Sequence, residues 1–242
     1  MFLILDFGNT NKKLALYSRG KLRRMVQFRR IGLRDVKAFV KEHPGIRAAI
    51  LSSVIHHSRS INDFLEKSFF FLELTHQTTM PVKNRYTTPL TLGKDRLAAA
   101  VAGASLYPGS NVLVINCGTC ITYDVIDSSG TYLGGAISPG LEMRLKSLHT
   151  FTGKLPLVEI TTRRYTTGRH TRGSILSGCM TGAVAETDGM INLFREEYPD
   201  LKVILSGGDA NYFAGRLKNS IFAQPNIVIN GLYQILRFHV SK

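Results

Sequence analysis

Near the start of the chain the apolar run "MFLIL" ends abruptly on Asp6-Phe7-Gly8-Asn9-Thr10, and this change of residue type is the first place where chemistry can be located. A carboxylate at a strand end can hold a hydrated Mg²⁺. A glycine lets backbone approach a phosphate, and the Asn9 and Thr10 side chains with neighbouring N–H groups suit phosphate oxygens. Lys13, three residues past Thr10, adds a point charge. Half a chain later Asn116-Cys117-Gly118-Thr119-Cys120 repeats the scheme: an amide at the end of an apolar run, one variable residue, a glycine, small polar residues. A third glycine turn, "SGGDA" at 206–210, follows another apolar run and suits a nucleoside. Two such turns, one from each of two lobes, can grip a triphosphate. None is a Walker loop, because G-x-x-x-x-G-K-[ST] does not occur. The alternative for each is an ordinary tight turn.

Phosphoryl transfer also needs a group to take the proton of the acceptor hydroxyl. Asp95 in "LGKDR" is the candidate, starting a helix directly after a loop. The alternative is a helix cap, with Arg96 on the surface. Asp124 in "ITYD" and Asp209 in "SGGDA" are open between structural roles and contact with Mg²⁺ or nucleoside. Gly134 and Gly135 are open between a hairpin turn and close approach to a ligand or the other lobe. His56, His57, His149 and His170 lack metal-ligand spacing.

Three cysteines cannot build a disulfide framework, and an odd count suits a reducing compartment. The Cys117/Cys120 pair has no second pair to complete a metal site and no helix start to make it redox-active, so it is expected inside a packed turn. No apolar run approaches the roughly 18 residues of a membrane helix, and Asp6 interrupts the start too early for a signal peptide. The expectation is a cytoplasmic protein with no membrane association. The 31 Lys and Arg against 17 Asp and Glu give a net charge of +14, which favours anionic partners without choosing between nucleic acid and phosphate-bearing metabolites. The basic residues are scattered, with neither a recognition-helix pattern nor a zinc-finger spacing.

The elements that must position these residues alternate between strand and helix. "FLILDF" reads as a buried strand, residues 12–28 as a hairpin around Arg19-Gly20, 31–43 as an amphipathic helix, and 46–54 as a second buried strand. A helix opened by a Ser cap follows at 58–69, then a strand, a Pro- and Thr-rich stretch, and the Ala-rich helix "DRLAAAVAGASLY". From residue 111 the strand–turn–strand pattern starts again, followed by a loop, a long helical region, the strand before "SGGDA" and a closing helix. A chain of 242 residues has room for two lobes. Their expected bounds are 1–105 and 106–242, with the linker between about 85 and 110.

The stretches "DFGNTNKK", "YTTPLTLGKDRLAAAVAGA", "NCGTCITYDVI", "YLGGAISPGLEM", "TGKLP", "TRGSILSG", "LSGGDA" and "NGLYQIL" run from Asp6 to Leu236 in the order found in the type III pantothenate kinases, which this chain therefore resembles. The resemblance implies an α/β fold of two ribonuclease-H-like lobes, the duplicated actin-like ATPase fold of the acetate and sugar kinase superfamily, with a central ATP cleft. It implies a homodimer that phosphorylates the primary hydroxyl of pantothenate to 4'-phosphopantothenate, beginning coenzyme A synthesis. Carried over, the stretch Asp6, Phe7, Gly8, Asn9, Thr10, Asn11, Lys12 and Lys13 is the first ATP phosphate motif, with Asp6 holding Mg²⁺ through water. Gly118 and Thr119 are the second. Asp95 is the proton acceptor, and Tyr86, Gly93, Lys94, Arg96 and Thr171 contact pantothenate; the planar Arg96 fork suits the substrate carboxylate. Where the family has an aspartate for a monovalent cation, K⁺ or NH₄⁺, this chain has Asn116, which keeps a carbonyl oxygen and loses the charge. Weaker cation activation is expected. Two other readings stay alongside: a nucleic-acid-binding accessory protein, and a phosphatase or different small-molecule kinase on the same fold.

Overall fold

The computed structural model describes residues 1–241, which divide into two compact units: Met1–Leu106 joined by the segment from Ile227 onward, and Tyr107–Asn226. The first runs β1 (Phe2–Phe7), β2 (Lys12–Ser18), β3 (Lys21–Phe28), α1 (Leu33–Lys41), β4 (Ala48–Ser53), α2 (Arg59–Ser68), β5 (Phe70–Glu73), the two-residue β6 (Lys83–Asn84) and α3 (Lys94–Leu106). The second runs β7 (Val112–Cys117), β8 (Cys120–Ile126), β9 (Thr131–Pro139), α4 (Leu141–Thr150), α5 (Thr171–Leu176), α6 (Gly182–Glu197), β10 (Lys202–Ser206), α7 (Ala210–Ala214) and β11 (Phe222–Ala223). A π-helical turn, Ser177–Thr181, joins α5 to α6. The chain closes on α8 (Ile227–Val240).

The strand order of the first unit is β3-β2-β1-β4-β5. β1 is antiparallel to β2 and parallel to β4, and β4 is parallel to β5. Alternation along β1 sends Leu3, Leu5 and Phe7 to one core with Val36 and Phe39 of α1 and Ile61 and Leu65 of α2. Phe2 and Ile4 go to the other core, with Ala98 and Val101 of α3 and Ile229 and Leu232 of α8. A central strand covered by helices on both faces has to be apolar nearly throughout, which explains "FLIL". The β2–β3 turn has two residues, Arg19 (φ 51°) and Gly20 (φ 78°), both left-handed as the hairpin twist requires.

Within the second unit the order is β11-β10-β7-β8-β9, the same topology strand for strand. β7 is antiparallel to β8 and parallel to β10, as β1 is to β2 and β4. Even the burial pattern repeats: in β1 and in β7 only the fifth residue, Asp6 or Asn116, is less than fully buried. The expected duplication is therefore a property of the backbone.

Two expectations need correction. The sequence places the closing helix, within 106–242, in the second lobe, but α8 packs on α3, β1 and β4 of the first unit. The contact is backbone to backbone: a Cβ on Gly231 would stand 1.7 Å from the Ala98 carbonyl oxygen. Such pairing across more than a hundred residues leaves no local sequence signal. Ser58 does precede α2, but its hydroxyl lies 2.7 Å from that of Ser60 instead of capping the helix.

Candidate active site

In the first unit the candidate residues gather at the C-terminal end of β1. Asp6 is in register with Lys13 on β2 and with Ser52 on β4, so these three side chains share one face. That face carries Phe2, Ile4, Ala48 and Ile50 and packs against α3, whose first turn holds Asp95. Burial pushes the Asp6 carboxyl up to about 6; Lys13 opposes the rise and the Asp95 carboxylate adds to it. The turn after β1 is tight, closed by the Gly8 N–H donating to the Asn11 carbonyl at 3.0 Å. Lys12 Nζ donates to the Asn9 carbonyl at 3.1 Å, and Asn9 and Thr10 are exposed. Phe7 is fully buried with its ring against His57, so its side chain belongs to the core and only its backbone is at the turn.

At α3, Gly93 precedes the helix and Lys94 and Asp95 are its first residues. A Cβ on Gly93 would come within 2.6 Å of Asp95 Oδ1, so glycine leaves the room that this carboxylate occupies. Asp95 lies inside the helix's first turn, where a negative charge suits the helix dipole, and not at the cap position. Arg96 is 6% exposed, which removes the surface alternative. Its guanidinium stands 5.9 Å from the centre of the Tyr86 ring, placing a cation and an aromatic wall next to Asp95.

Sequence reasoning missed Ser52. Its hydroxyl is buried beside Asp6 and has no hydrogen-bond partner among the described residues, a costly arrangement unless something else fills it. The only hint was a serine pair ending a fully apolar strand. The Asp6 and Asp95 carboxylates, the second of which raises the proton affinity of the first, with that hydroxyl alongside, are a hard-oxygen donor set. A divalent cation that keeps most of its water fits it. No group of three or more His, Cys, Asp or Glu able to hold a metal exists among the described residues.

In the second unit Asn116 is the penultimate residue of β7, in register with Thr122 and Ser206. Gly118 N–H donates to the Cys120 carbonyl at 3.0 Å, forming a two-residue turn with Thr119 exposed. Other backbone encloses this turn: a Cβ on Gly140 would fall 2.0 Å from the Gly118 carbonyl oxygen, and one on Gly207, at φ +102°, 2.0 Å from that of Cys117. Gly140 and Gly207 are thus what fix the turn; the sequence marks Gly207 only as part of the third glycine turn and does not single out Gly140. Thr171 is exposed at the start of α5, capped by His170, whose Nδ1 accepts the Gly173 N–H at 3.1 Å.

Several open residues resolve as structural. Asp124 is fully buried and accepts hydrogen bonds from Thr122 (3.1 Å) and Tyr132 (2.9 Å), so both oxygens are used inside the unit. Gly134 and Gly135 lie within β9 and not in a turn; a Cβ on Gly135 would overlap the Tyr123 carbonyl oxygen. Cys117 is buried, its thiol pushed up to about 12 by burial and by Asp209, which leaves no thiolate for redox or metal chemistry. Asp209 donates its N–H to the Cys117 carbonyl and precedes α7; burial and then Glu142 raise its carboxyl.

Comparison with known proteins bears on the family and on the fold. Residues 2–193 match the family model described as type III pantothenate kinase. The chain is 44% identical over 243 residues to the type III pantothenate kinase of Christiangramia forsetii, covering 100% of both chains. It is 42% identical over 240 residues to that of Phocaeicola vulgatus, covering 99% of each. Among solved structures it is similar to a Campylobacter jejuni protein provisionally described as a Baf family transcriptional activator (TM-score 0.59, 19% identity, 99% and 100% of the chains). It is also similar to a Listeria monocytogenes protein provisionally described as an N-acetylmannosamine kinase (TM-score 0.56, 14% identity, 98% and 99%). These structures speak for the fold, the duplicated actin-like ATPase fold of the sugar kinases. The family model and the full-length relatives carry the assignment: this chain belongs to the type III pantothenate kinase family.

Proposed function

We propose that the protein phosphorylates pantothenate at the expense of ATP, giving 4'-phosphopantothenate for coenzyme A synthesis, with Asp95 as the general base. The observation that carries the mechanism is the pairing of Asp95 with Asp6 at one end of the sheet, beside the buried Arg96 and the Tyr86 ring. Asp95 takes the proton of the primary hydroxyl as its oxygen attacks the γ-phosphorus in line. One P–O bond forms to the alcohol oxygen, the bond to the β,γ-bridging oxygen breaks, ADP leaves, and the proton passes from Asp95 to solvent. Bound Mg²⁺ would neutralise phosphate charge, and Asp6 would hold it through water, with the Ser52 hydroxyl beside it.

Phosphate oxygens are assigned to the turn 6–13, including Lys13, and to Gly118 and Thr119. Pantothenate is assigned to Tyr86, Gly93, Lys94, Arg96 and Thr171, with the Arg96 fork on its carboxylate. The same proposal includes a cytoplasmic homodimer, for which sedimentation at micromolar concentration must show twice the chain mass. A monovalent cation would meet at Asn116 a carbonyl oxygen and no negative charge. Arg96→Ala tests the substrate assignment: the KM for pantothenate should rise at least about tenfold while ATP affinity is kept. An unchanged KM rejects the carboxylate role.

A further inference from the structure

A cavity of about 390 Å³ opens in the first unit at the opposite end of β1 from Asp6. Five residue steps separate Phe2 from Phe7, so cavity and phosphate turn lie roughly 17 Å apart along the strand. Its floor is Phe2 and the stacked rings of Tyr17 and Tyr233, 4.2 Å between centres. Its rim carries Arg19, Arg47 and Arg237, and among the described residues no aspartate or glutamate lines it.

Each arginine comes from a different element: the β2–β3 turn, the residue ahead of β4, and the last turn of α8. Among the described residues none of the three forms an ion pair, although exposed basic residues elsewhere do, as in Arg24–Glu42 at 3.0 Å and Lys146–Glu142 at 2.9 Å. Local reasons account for two of them in part. Arg237 suits the negative end of its helix, and the Arg47 guanidinium lies 5.1 Å over the Phe2 ring. Arg19 has no such reason: at φ 51° it occupies a left-handed position where asparagine or glycine is the ordinary choice. The amino terminus of Met1, on the same wall, has its affinity for a proton lowered by burial and, in smaller part, by the charge of Arg47.

We propose that this cavity is an anion site, distinct from the phosphate turns, that takes a small phosphorylated metabolite. Arg19, Arg47 and Arg237 hold the phosphate through their planar forks, and the organic part lies against Phe2 and Tyr233. The volume exceeds what a bare phosphate needs and falls in the range of small-molecule sites.

Ribose 5-phosphate is the probe, titrated calorimetrically into the full chain with and without saturating Mg-ADP, with ribose as the uncharged control. Saturable binding of ribose 5-phosphate in both conditions, with none of ribose, is expected. Arg19→Glu with Arg237→Glu should weaken it at least about tenfold while leaving the circular dichroism spectrum and ADP binding unchanged. Should the charge-reversed variant misfold, Arg19→Gln with Arg237→Gln must show the same loss. No binding up to about 10 mM would overturn the proposal, as would equal binding by variant and parent, or binding abolished by Mg-ADP. A short single-stranded DNA that displaces the probe with steep salt dependence would instead make the site part of a polyanion surface and overturn it too.

Discussion

Asp6 works against the stability of the fold it belongs to. Its carboxyl is raised from 3.8 to about 6 by burial, so the native state holds that proton more tightly than the unfolded chain does. Stability therefore falls as pH rises from about 4 to about 6, and above that window the ionised side chain costs about 3 kcal/mol. Asp6→Asn should stabilise the chain by up to that amount in urea unfolding at pH 7.5, and by almost nothing below pH 4; equal midpoints at pH 7.5 would contradict this. The same variant should lose Mg²⁺-dependent turnover, the trade expected of a carboxylate kept for function. At the equivalent position of the second unit, Asn116 carries no charge. K⁺ should therefore stimulate turnover only weakly, and Asn116→Asp should increase the stimulation. A steep K⁺ requirement that the substitution leaves unchanged would refute this account of Asn116.

At the scale of elements, α3 is the part that decides whether the site exists, because its first turn carries Asp95 and the buried Arg96. Its partner α8 lies against it so closely that Gly231 has no room for a side chain. Gly231→Ala must push two helix backbones apart, and a loss of about 2–3 kcal/mol in unfolding free energy is expected, in the upper range for an overpacked core. Turnover should fall with it as α3 shifts. An alanine variant as stable as the parent would show that the contact is looser than described. Such a pairing was not legible in the sequence: "NGLYQIL" reads as a helix, but nothing local says which sheet it covers. The strands were legible, because β1, β4 and β7 are buried on both faces and read as apolar runs, and the hairpin was marked by Arg19-Gly20. Asp6 and the glycine turns stood out where those runs end, and Asp95 stood out as the charge that opens the Ala-rich helix. Ser52 and Gly140 did not, since their importance lies in atoms from distant segments that come within a few ångströms of them, and Gly207 stood out only as part of a turn and not for its contact with Cys117.

For the whole molecule, the repeated strand order is the most informative feature, since one topology used twice explains why Asp6 and Asn116, and the turns after them, occupy the same place in their units. The +14 net charge fits anionic metabolites as well as nucleic acid, and the three arginines around the β1-start cavity give one part of that surplus a specific use. No helix among the described residues is long and apolar enough to cross a membrane. In the proposed reaction a phosphoryl group passes from ATP to the pantothenate hydroxyl with Asp95 taking the proton. Its most direct test is a mass measurement of the products from the purified chain and its Asp95→Asn variant, each incubated with Mg-ATP and pantothenate. The parent should yield phosphopantothenate, and the variant at least about 10²-fold less per unit time while still binding ATP. No phosphorylated product from the parent, or an equal rate from the variant, would contradict the account.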